Sequence, residues 1–141
     1  MLDIAISITA VEFEGKLDKG GHPYMLHCLT VMYGVEHLGS KAMQAAVMHD
    51  LIEDTKWTLE DLKKKGFEED VISIVEKVTH LSTDSYDEYL DKLAVCPIAR
   101  AIKIADLDHN SQIHRMKGLR DKDFERLAKY HRAYAFLKGI E

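Results

Sequence analysis

The sequence predicts an all-α fold in a single domain that spans residues 1–141. Apolar residues recur at spacings of three and four along most of the chain, which is the period of an amphipathic helix. Neither a hairpin pattern nor the alternation of strands and helices typical of a parallel sheet competes with it. With 141 residues, 46% of them hydrophobic, and only two prolines, the chain is long enough for one core and contains no obvious linker.

The first two helices are predicted on either side of a polar loop. Residues 2–14 carry small and branched apolar side chains and are expected to form a helix that Gly15 ends, although their β-branched residues also alternate with period two, as in a strand. Residues 16–22 form the loop. Pro23 stands at a first-turn position that proline tolerates, which predicts a second helix over residues 23–38.

A third helix is predicted to begin near Ser40, a plausible N-cap, and to contain His49. Residues 42–48 are almost wholly apolar, which indicates that this helix is buried.

The second half of the chain is predicted to contain further helices. Thr58 is expected to cap a short helix that Gly66 stops, and apolar stripes over residues 71–78 and 84–95 predict the next two. Pro97 opens a helix that delivers Asp106, and a loop over residues 111–120 follows. The last helix is expected to pack through an amphipathic face formed by Phe124, Leu127, Ala128, His131 and Ala135.

Composition and charge argue against two classes of protein, namely nonspecific nucleic-acid-binding proteins and membrane proteins. A net charge of −5 argues against nonspecific binding to long nucleic acids. No stretch approaches the roughly 18 apolar residues of a membrane span, and the N-terminus lacks the basic segment of a signal peptide, so we expect a cytoplasmic protein without a membrane partner. Cys28 and Cys96 lack metal-binding spacing and are expected to be free thiols. Homo-oligomerisation stays open.

Two imidazoles and two carboxylates from three separate segments are the candidate metal ligands: His27, His49, Asp50 and Asp106. Both acids follow mostly apolar segments, and a buried carboxylate is costly unless a charge compensates it. A mixed imidazole and carboxylate donor set suits a mid-series metal with open positions, which is typical of a hydrolytic site. The remaining histidines outside the motifs below are expected to be core or surface residues: His37, His80, His114 and His131.

Glu53 and Asp54 are the candidate groups for proton transfer. In a helix they lie one turn after His49 and Asp50, since residues four apart share a face. Mutual repulsion among these groups is expected to raise the pKa of at least one carboxylate, which suits it to act on water. The alternative is that the pair is a solvated helix end.

Three segments together resemble a known family. They read Gly21-His22-Pro23-Tyr24-Met25-Leu26-His27, His49-Asp50-Leu51-Ile52-Glu53-Asp54-Thr55 and Lys103-Ile104-Ala105-Asp106-Leu107-Asp108-His109-Asn110. The chain resembles the HD-domain metal phosphohydrolases, and most specifically the hydrolase domain of the Rel/Spo alarmone enzymes and the stand-alone small alarmone hydrolases. The resemblance covers about residues 19–110.

The resemblance implies an HD-type helical bundle, a Mn²⁺ ion on the four candidate ligands, and an action of Glu53 and Asp54 on the attacking water. The implied substrates are guanosine tetra- and pentaphosphate, which lose their 3′-pyrophosphate, and in some stand-alone members NADPH, which loses its 2′-phosphate. Four residues in or near the matching segments are expected to contact the nucleotide: Lys19, Tyr24, Lys103 and Asn110.

Asp18 and Gln112 depart from the family pattern, which has an arginine at each of these places. A carboxylate cannot stack on guanine as a guanidinium does, so we expect weaker discrimination for guanine. Arg115, Lys117 and Arg120 are candidates for the lost phosphate contacts, although a basic surface loop is the commoner explanation. Two alternative functions stay open: a different HD-domain nucleotide phosphatase, and a non-catalytic nucleotide-binding or antitoxin-like module.

Overall fold

Helix α3, Ser40–Val47, lies at the centre of the fold in a computed structural model that describes residues 1–139. Alanines at three buried positions allow α1, α2 and α6 to pack closely around it. The other helices are α1 (Leu2–Glu12), α2 (Tyr24–Gly34), α4 (Leu51–Asp54), α5 (Leu59–Lys65), α6 (Glu69–Val78), α7 (Tyr86–Ala94), α8 (Pro97–Asn110) and α9 (Asp121–Lys138). The described residues contain no strand, which confirms the all-α prediction.

Several predicted helix boundaries are confirmed by their capping geometry. Thr58 and Asp61 form a capping box at the start of α5, and Gly66 ends that helix in the left-handed conformation at φ 99°. Pro97 is the first residue of α8. The predicted stripe of α6 is buried throughout, at Val71, Ile72, Val75 and Val78.

The second helix is shorter than predicted. It ends at Gly34, and a 3₁₀ helix over Glu36–Leu38 follows. A side chain at Gly34 would meet Ala105 Cβ at 3.0 Å, so the glycine allows α2 and α8 to approach closely there. This contact brings together the two helices that carry His27 and Asp106.

The prediction of one continuous helix through His49 is wrong, because α3 ends at Val47 and α4 begins at Leu51. The Ala46 carbonyl accepts a hydrogen bond from the His49 backbone N–H at 3.2 Å, and it also lies 2.8 Å from ring Nδ1 of the same residue. These short-range contacts replace the regular i to i+4 pattern at this carbonyl. His49 and Asp50 therefore lie in a tight turn between the two helices.

The predicted apolar face of the last helix is also wrong. Phe124 is 56% exposed, and the buried apolar residues of α9 are Ala133 and Leu137. Tyr130 and Tyr134 pack against the same core. The prediction considered only purely apolar residues. The packed face instead includes tyrosines, whose rings pack against the core while their hydroxyl groups are polar.

The described residues also bear on the predictions about the two cysteines and about membrane-spanning helices. Cys28 and Cys96 are free, and burial raises the pKa of the Cys28 thiol to about 12. None of the helices described is both long and apolar enough to cross a membrane.

Candidate metal centre and adjoining clefts

The four predicted ligands come together at the junction of α2, the turn after α3, and α8. His27 Nε2 lies 3.3 Å from His49 Nε2 and 3.1 Å from Asp106 Oδ1. His49 Nε2 lies 3.0 Å from Asp50 Oδ2 and 3.4 Å from Asp106 Oδ1. Donor atoms of His27, His49 and Asp50 all lie within 4.8 Å of one another. We call these four side chains the ligand cluster.

The spacing within the ligand cluster fits a single divalent ion. Metal bonds of about 2.1 Å place two ligand atoms roughly 3.0–3.4 Å apart at right or tetrahedral angles. In the neutral ring, an Nδ1–H donated from His49 to the Ala46 carbonyl leaves the lone pair on Nε2, which faces the two carboxylates. A lone pair directed at carboxylate oxygens is repulsive unless a proton or a metal lies between them. The cluster could therefore hold a cation.

The pKa values of Asp50 and His49 also indicate that a positive charge is favoured in the cluster. Burial alone would raise the pKa of Asp50, but the His49 imidazole outweighs it and holds that pKa at about 2. Burial would lower the pKa of His49, yet Asp50 and Asp106 raise it well above its usual value. A proton on His49 and a bound metal compensate the same carboxylates, so metal affinity is expected to fall as the pH falls.

Both ligand carboxylates are held by hydrogen bonds from outside the cluster. Tyr24 donates its hydroxyl to Asp50 Oδ2. Lys103 Nζ and Asn110 Nδ2 donate to the two oxygens of Asp106, each at 2.8 Å. Burial would lower the pKa of Lys103, but Asp106 raises it well above the usual value. Three of the four residues predicted to contact the nucleotide thus make polar contacts with metal-ligand candidates.

His109 supports His27 in the same way. The two rings stack at 5.0 Å, and their Nδ1 atoms are 2.7 Å apart, so one must donate and the other accept. A ligand nitrogen must be unprotonated, so a metal on His27 Nε2 requires the proton on Nδ1 and makes His109 Nδ1 the acceptor. Burial and the nearby Arg115 lower the pKa of His109 to about 4, which keeps its ring neutral and able to accept.

A cleft of about 290 Å³ borders the cluster beside His27; we call it the larger cleft. Its cationic side chains are Lys16, Lys19, Arg115 and Arg126, and its wall includes Leu17, Tyr24, Met116 and Tyr130. Cations with apolar and aromatic surface are suited to an anionic nucleotide. Lys19 is the predicted nucleotide contact that lies here without a carboxylate partner among the described residues.

Asp18 organises the loop that forms one wall of the larger cleft. Its Oδ1 accepts from the backbone N–H groups of Gly20 at 2.9 Å and His22 at 2.8 Å, and its Oδ2 accepts from Arg115 Nη2 at 2.5 Å. Although burial acts to raise the pKa of Asp18, these contacts keep it below its usual value. Arg115 thus joins the cleft from the loop after α8, while Lys117 and Arg120 do not line it.

A second cavity, of about 150 Å³, borders the cluster through His49, Asp50 and Asp106; we call it the smaller cavity. It shares no lining residue with the larger cleft, so the cluster separates the two. His80 lines it and stacks on Tyr89 at 4.7 Å between ring centres. His80, which the sequence assigns to the core or surface, thus lies beside the cluster.

Glu53 and Asp54 face different surroundings. Glu53 is an exposed residue at the edge of the smaller cavity, where its Oε1 accepts from the His80 backbone N–H and partial desolvation raises the pKa of its carboxyl. Asp54 Oδ2 pairs instead with Lys16 Nζ at 3.1 Å, and that Nζ lies 4.1 Å from the centre of the Tyr24 ring. The break at residues 48–50 thus does not leave the two acids as one equivalent pair.

Sequence reasoning missed several residues of the two cavities. His109 lies in the quoted motif three residues after Asp106, so its position on the following helical turn could have identified it. The others come from loops and from α9, whose packed face was predicted wrongly, and no local signal places them at the cluster: His80, Arg126, Lys129 and Tyr130.

Comparison with known proteins shows similarity along most of the chain. Residues 5–113 match a family model described as HD domain. A guanosine-3′,5′-bis(diphosphate) 3′-pyrophosphohydrolase of Haemophilus influenzae is 34% identical over 129 residues, which is 82% of this chain and 19% of that protein. The pyrophosphohydrolase MESH1 of Xenopus tropicalis is 30% identical over 131 residues, which is 85% of this chain and 67% of that protein.

The similarity extends to relatives with a different name and to a solved structure. A GTP pyrophosphokinase of Streptomyces coelicolor is 33% identical over 72% of this chain, which spans 13% of that protein. The chain thus spans less than a fifth of these bacterial relatives. A solved metazoan ortholog of SpoT, described as hydrolysing ppGpp, superimposes with a TM-score of 0.79 at 21% identity, over 96% of this chain and 84% of that one. This likeness confirms the predicted HD-type helical fold.

The contact between His109 and His27 yields a test. His109→Phe keeps an aromatic ring but removes the acceptor, so Mn²⁺ affinity measured by calorimetry is expected to fall roughly tenfold or more, the usual cost of losing an outer partner. His109→Asn places an oxygen near the position of Nδ1 and is expected to recover most of the affinity. Wild-type affinity in the Phe variant would contradict the role given to His109.

Proposed function

The chain belongs to the HD domain family, and on that premise we propose that it is a metal-dependent phosphohydrolase that removes pyrophosphate from the 3′ oxygen of guanosine 3′,5′-bis(diphosphate). The observation that carries the proposal is a largely buried cluster of two imidazoles and two carboxylates between a cationic cleft and a cavity lined by Glu53. The names of the Haemophilus and Xenopus relatives support this substrate. Location in the cytoplasm and homo-oligomerisation stay predictions from the sequence.

The metal would be held by His27, His49, Asp50 and Asp106, with Mn²⁺ as the proposed ion. A divalent ion with open positions acidifies a water and polarises a phosphoryl oxygen when it is bound. The protein contributes the orientation of the ligands, because Tyr24, Lys103 and the other outer partners hold the carboxylates and rings in place.

The nucleotide would lie in the larger cleft. Its phosphates meet Lys19 and Arg126, and the ring of Tyr130 supplies flat apolar surface for the base or sugar. Asp18 is held by its own loop and by Arg115, so it does not take the place of the family's stacking arginine. Weak discrimination for guanine stays a prediction.

Glu53 would accept the proton of the attacking water. It lies in the smaller cavity beside Asp50, and its raised pKa brings it nearer to the pH at which a general base is most effective. The His80 N–H orients its carboxylate. Asp54 would position Lys16 at the edge of the larger cleft, because the two form an ion pair beside Tyr24.

Product identification tests this function. The Mn²⁺-loaded protein is expected to convert ppGpp to GDP and pyrophosphate in equal amounts, measured by chromatography. Release of orthophosphate from NADPH or from nucleoside monophosphates, without turnover of ppGpp, would assign it instead to another class of HD phosphatase. Binding of ppGpp without turnover of any of these compounds would indicate a nucleotide-binding module.

The separate surroundings of Glu53 and Asp54 predict different kinetic effects. Glu53→Gln is expected to lower kcat by roughly 10²-fold or more with little change in KM, since it removes a general base. Asp54→Asn is expected mainly to raise KM, because it frees Lys16. Glu60→Gln, on the exposed face of α5, is the matched control. Equal losses of kcat in the Glu53 and Asp54 variants would contradict this division of roles.

A further inference from the structure

We propose that the smaller cavity is a subsite for the outer phosphate of a diphosphate ester, and that Lys129 is the residue that favours diphosphate over monophosphate esters. The inference rests on the proposed function and deepens it, since the family resemblance leaves open whether one phosphate or two are removed. Lys129 lies in α9, beyond residues 5–113 that match the HD domain model.

The position of the smaller cavity indicates which part of the substrate would occupy it. The larger cleft and the smaller cavity meet the cluster through different ligands, His27 on one side and His49, Asp50 and Asp106 on the other. A nucleoside in the larger cleft places its 3′ phosphate at the cluster. A second phosphate bonded to the first then has the smaller cavity as the space available beyond the ligands.

The volume of the cavity fits this occupant. About 150 Å³ is the room of roughly five water molecules at about 30 Å³ each. That space is enough for one phosphate group and the attacking water beside Glu53. The cavity is therefore matched to the inorganic end of the substrate.

The charges around the cavity single out Lys129. Two ammonium groups line the cavity, and Lys103 Nζ is already bound to Asp106 Oδ2 at 2.8 Å. Lys129 Nζ lies 4.0 Å from the centre of the Tyr86 ring and pairs with no carboxylate within the described part of the chain. A cation over an aromatic face keeps its N–H donors free for an anion. An outer phosphate, which brings additional negative charge, can satisfy them.

In the proposed reaction, Lys129 would also bind the leaving pyrophosphate. The water oxygen forms a bond to the phosphorus that is attached to the ribose 3′ oxygen, and the bond from that phosphorus to the 3′ oxygen breaks. The 3′ oxygen takes up a proton, and the two phosphates leave together as pyrophosphate. Lys129 would hold the outer phosphate throughout, whereas a 3′-monophosphate has no group that reaches it.

A comparison of two esters tests the subsite. Lys129→Met keeps the length of the side chain against Tyr86 and removes the charge. It is expected to lower kcat/KM for guanosine 3′-diphosphate 5′-diphosphate about tenfold or more, the effect of losing a charge-assisted hydrogen bond. The 3′-monophosphate 5′-diphosphate should change less than about twofold. Lys77→Met, an exposed residue in the last turn of α6 outside both the larger cleft and the smaller cavity, should change neither.

The outcomes separate the subsite from the function on which it rests. Equal losses on both esters, or no loss on either, would overturn the role of Lys129 while leaving hydrolysis established. Should the wild type hydrolyse neither ester, the proposed function fails, and pyrophosphate binding to the Mn²⁺-loaded protein then decides the subsite. Weaker binding of pyrophosphate, but not of orthophosphate, in Lys129→Met would support the subsite, and unchanged binding would overturn it.

Discussion

Two imidazoles lie within about 3–4 Å of two carboxylates, one buried and one partly buried, and the fold around them holds that arrangement. Uncompensated buried charges would be costly, and Lys103 balances only one of the two carboxylates, so the cluster requires a further cation or proton. Small residues make the approach of the helices possible: alanines along α3, and Gly34 of α2 against Ala105 of α8. The close packing of α2, the turn after α3, and α8 is therefore what brings the four side chains of the ligand cluster together.

The cluster also divides the surface near it into two spaces with different chemistry. The larger cleft combines cations with apolar wall, which suits a nucleotide, and the smaller cavity is polar and bounded by Glu53 and Lys129. The turn after α3 sends Glu53 toward one space and Asp54 toward Lys16 beside the other. Neighbouring residues of similar charge thus acquire distinct surroundings from the direction of a short helix.

The ligand cluster could be predicted from sequence because buried acids after apolar helices are rare and each calls for a cation. The turn that presents His49 and Asp50 could not, since it depends on the His49 ring meeting its own backbone at the Ala46 carbonyl. The positions of His80, His109 and Lys129 beside the cluster depend on how segments distant in the sequence pack together. Tyr130 was missed because a search for apolar stripes places little weight on tyrosines.

The thermal stability of the protein with and without Mn²⁺ tests most directly whether the cluster is a metal site. A metal that binds only the native state stabilises it by mass action, by about 2.7 kcal/mol at a hundredfold excess over Kd. Mn²⁺ is expected to raise the Tm of the wild type and of Asp70→Ala, a control that removes an exposed surface carboxylate, but not that of Asp50→Ala. No rise in the wild type, or an equal rise in Asp50→Ala, would contradict the account.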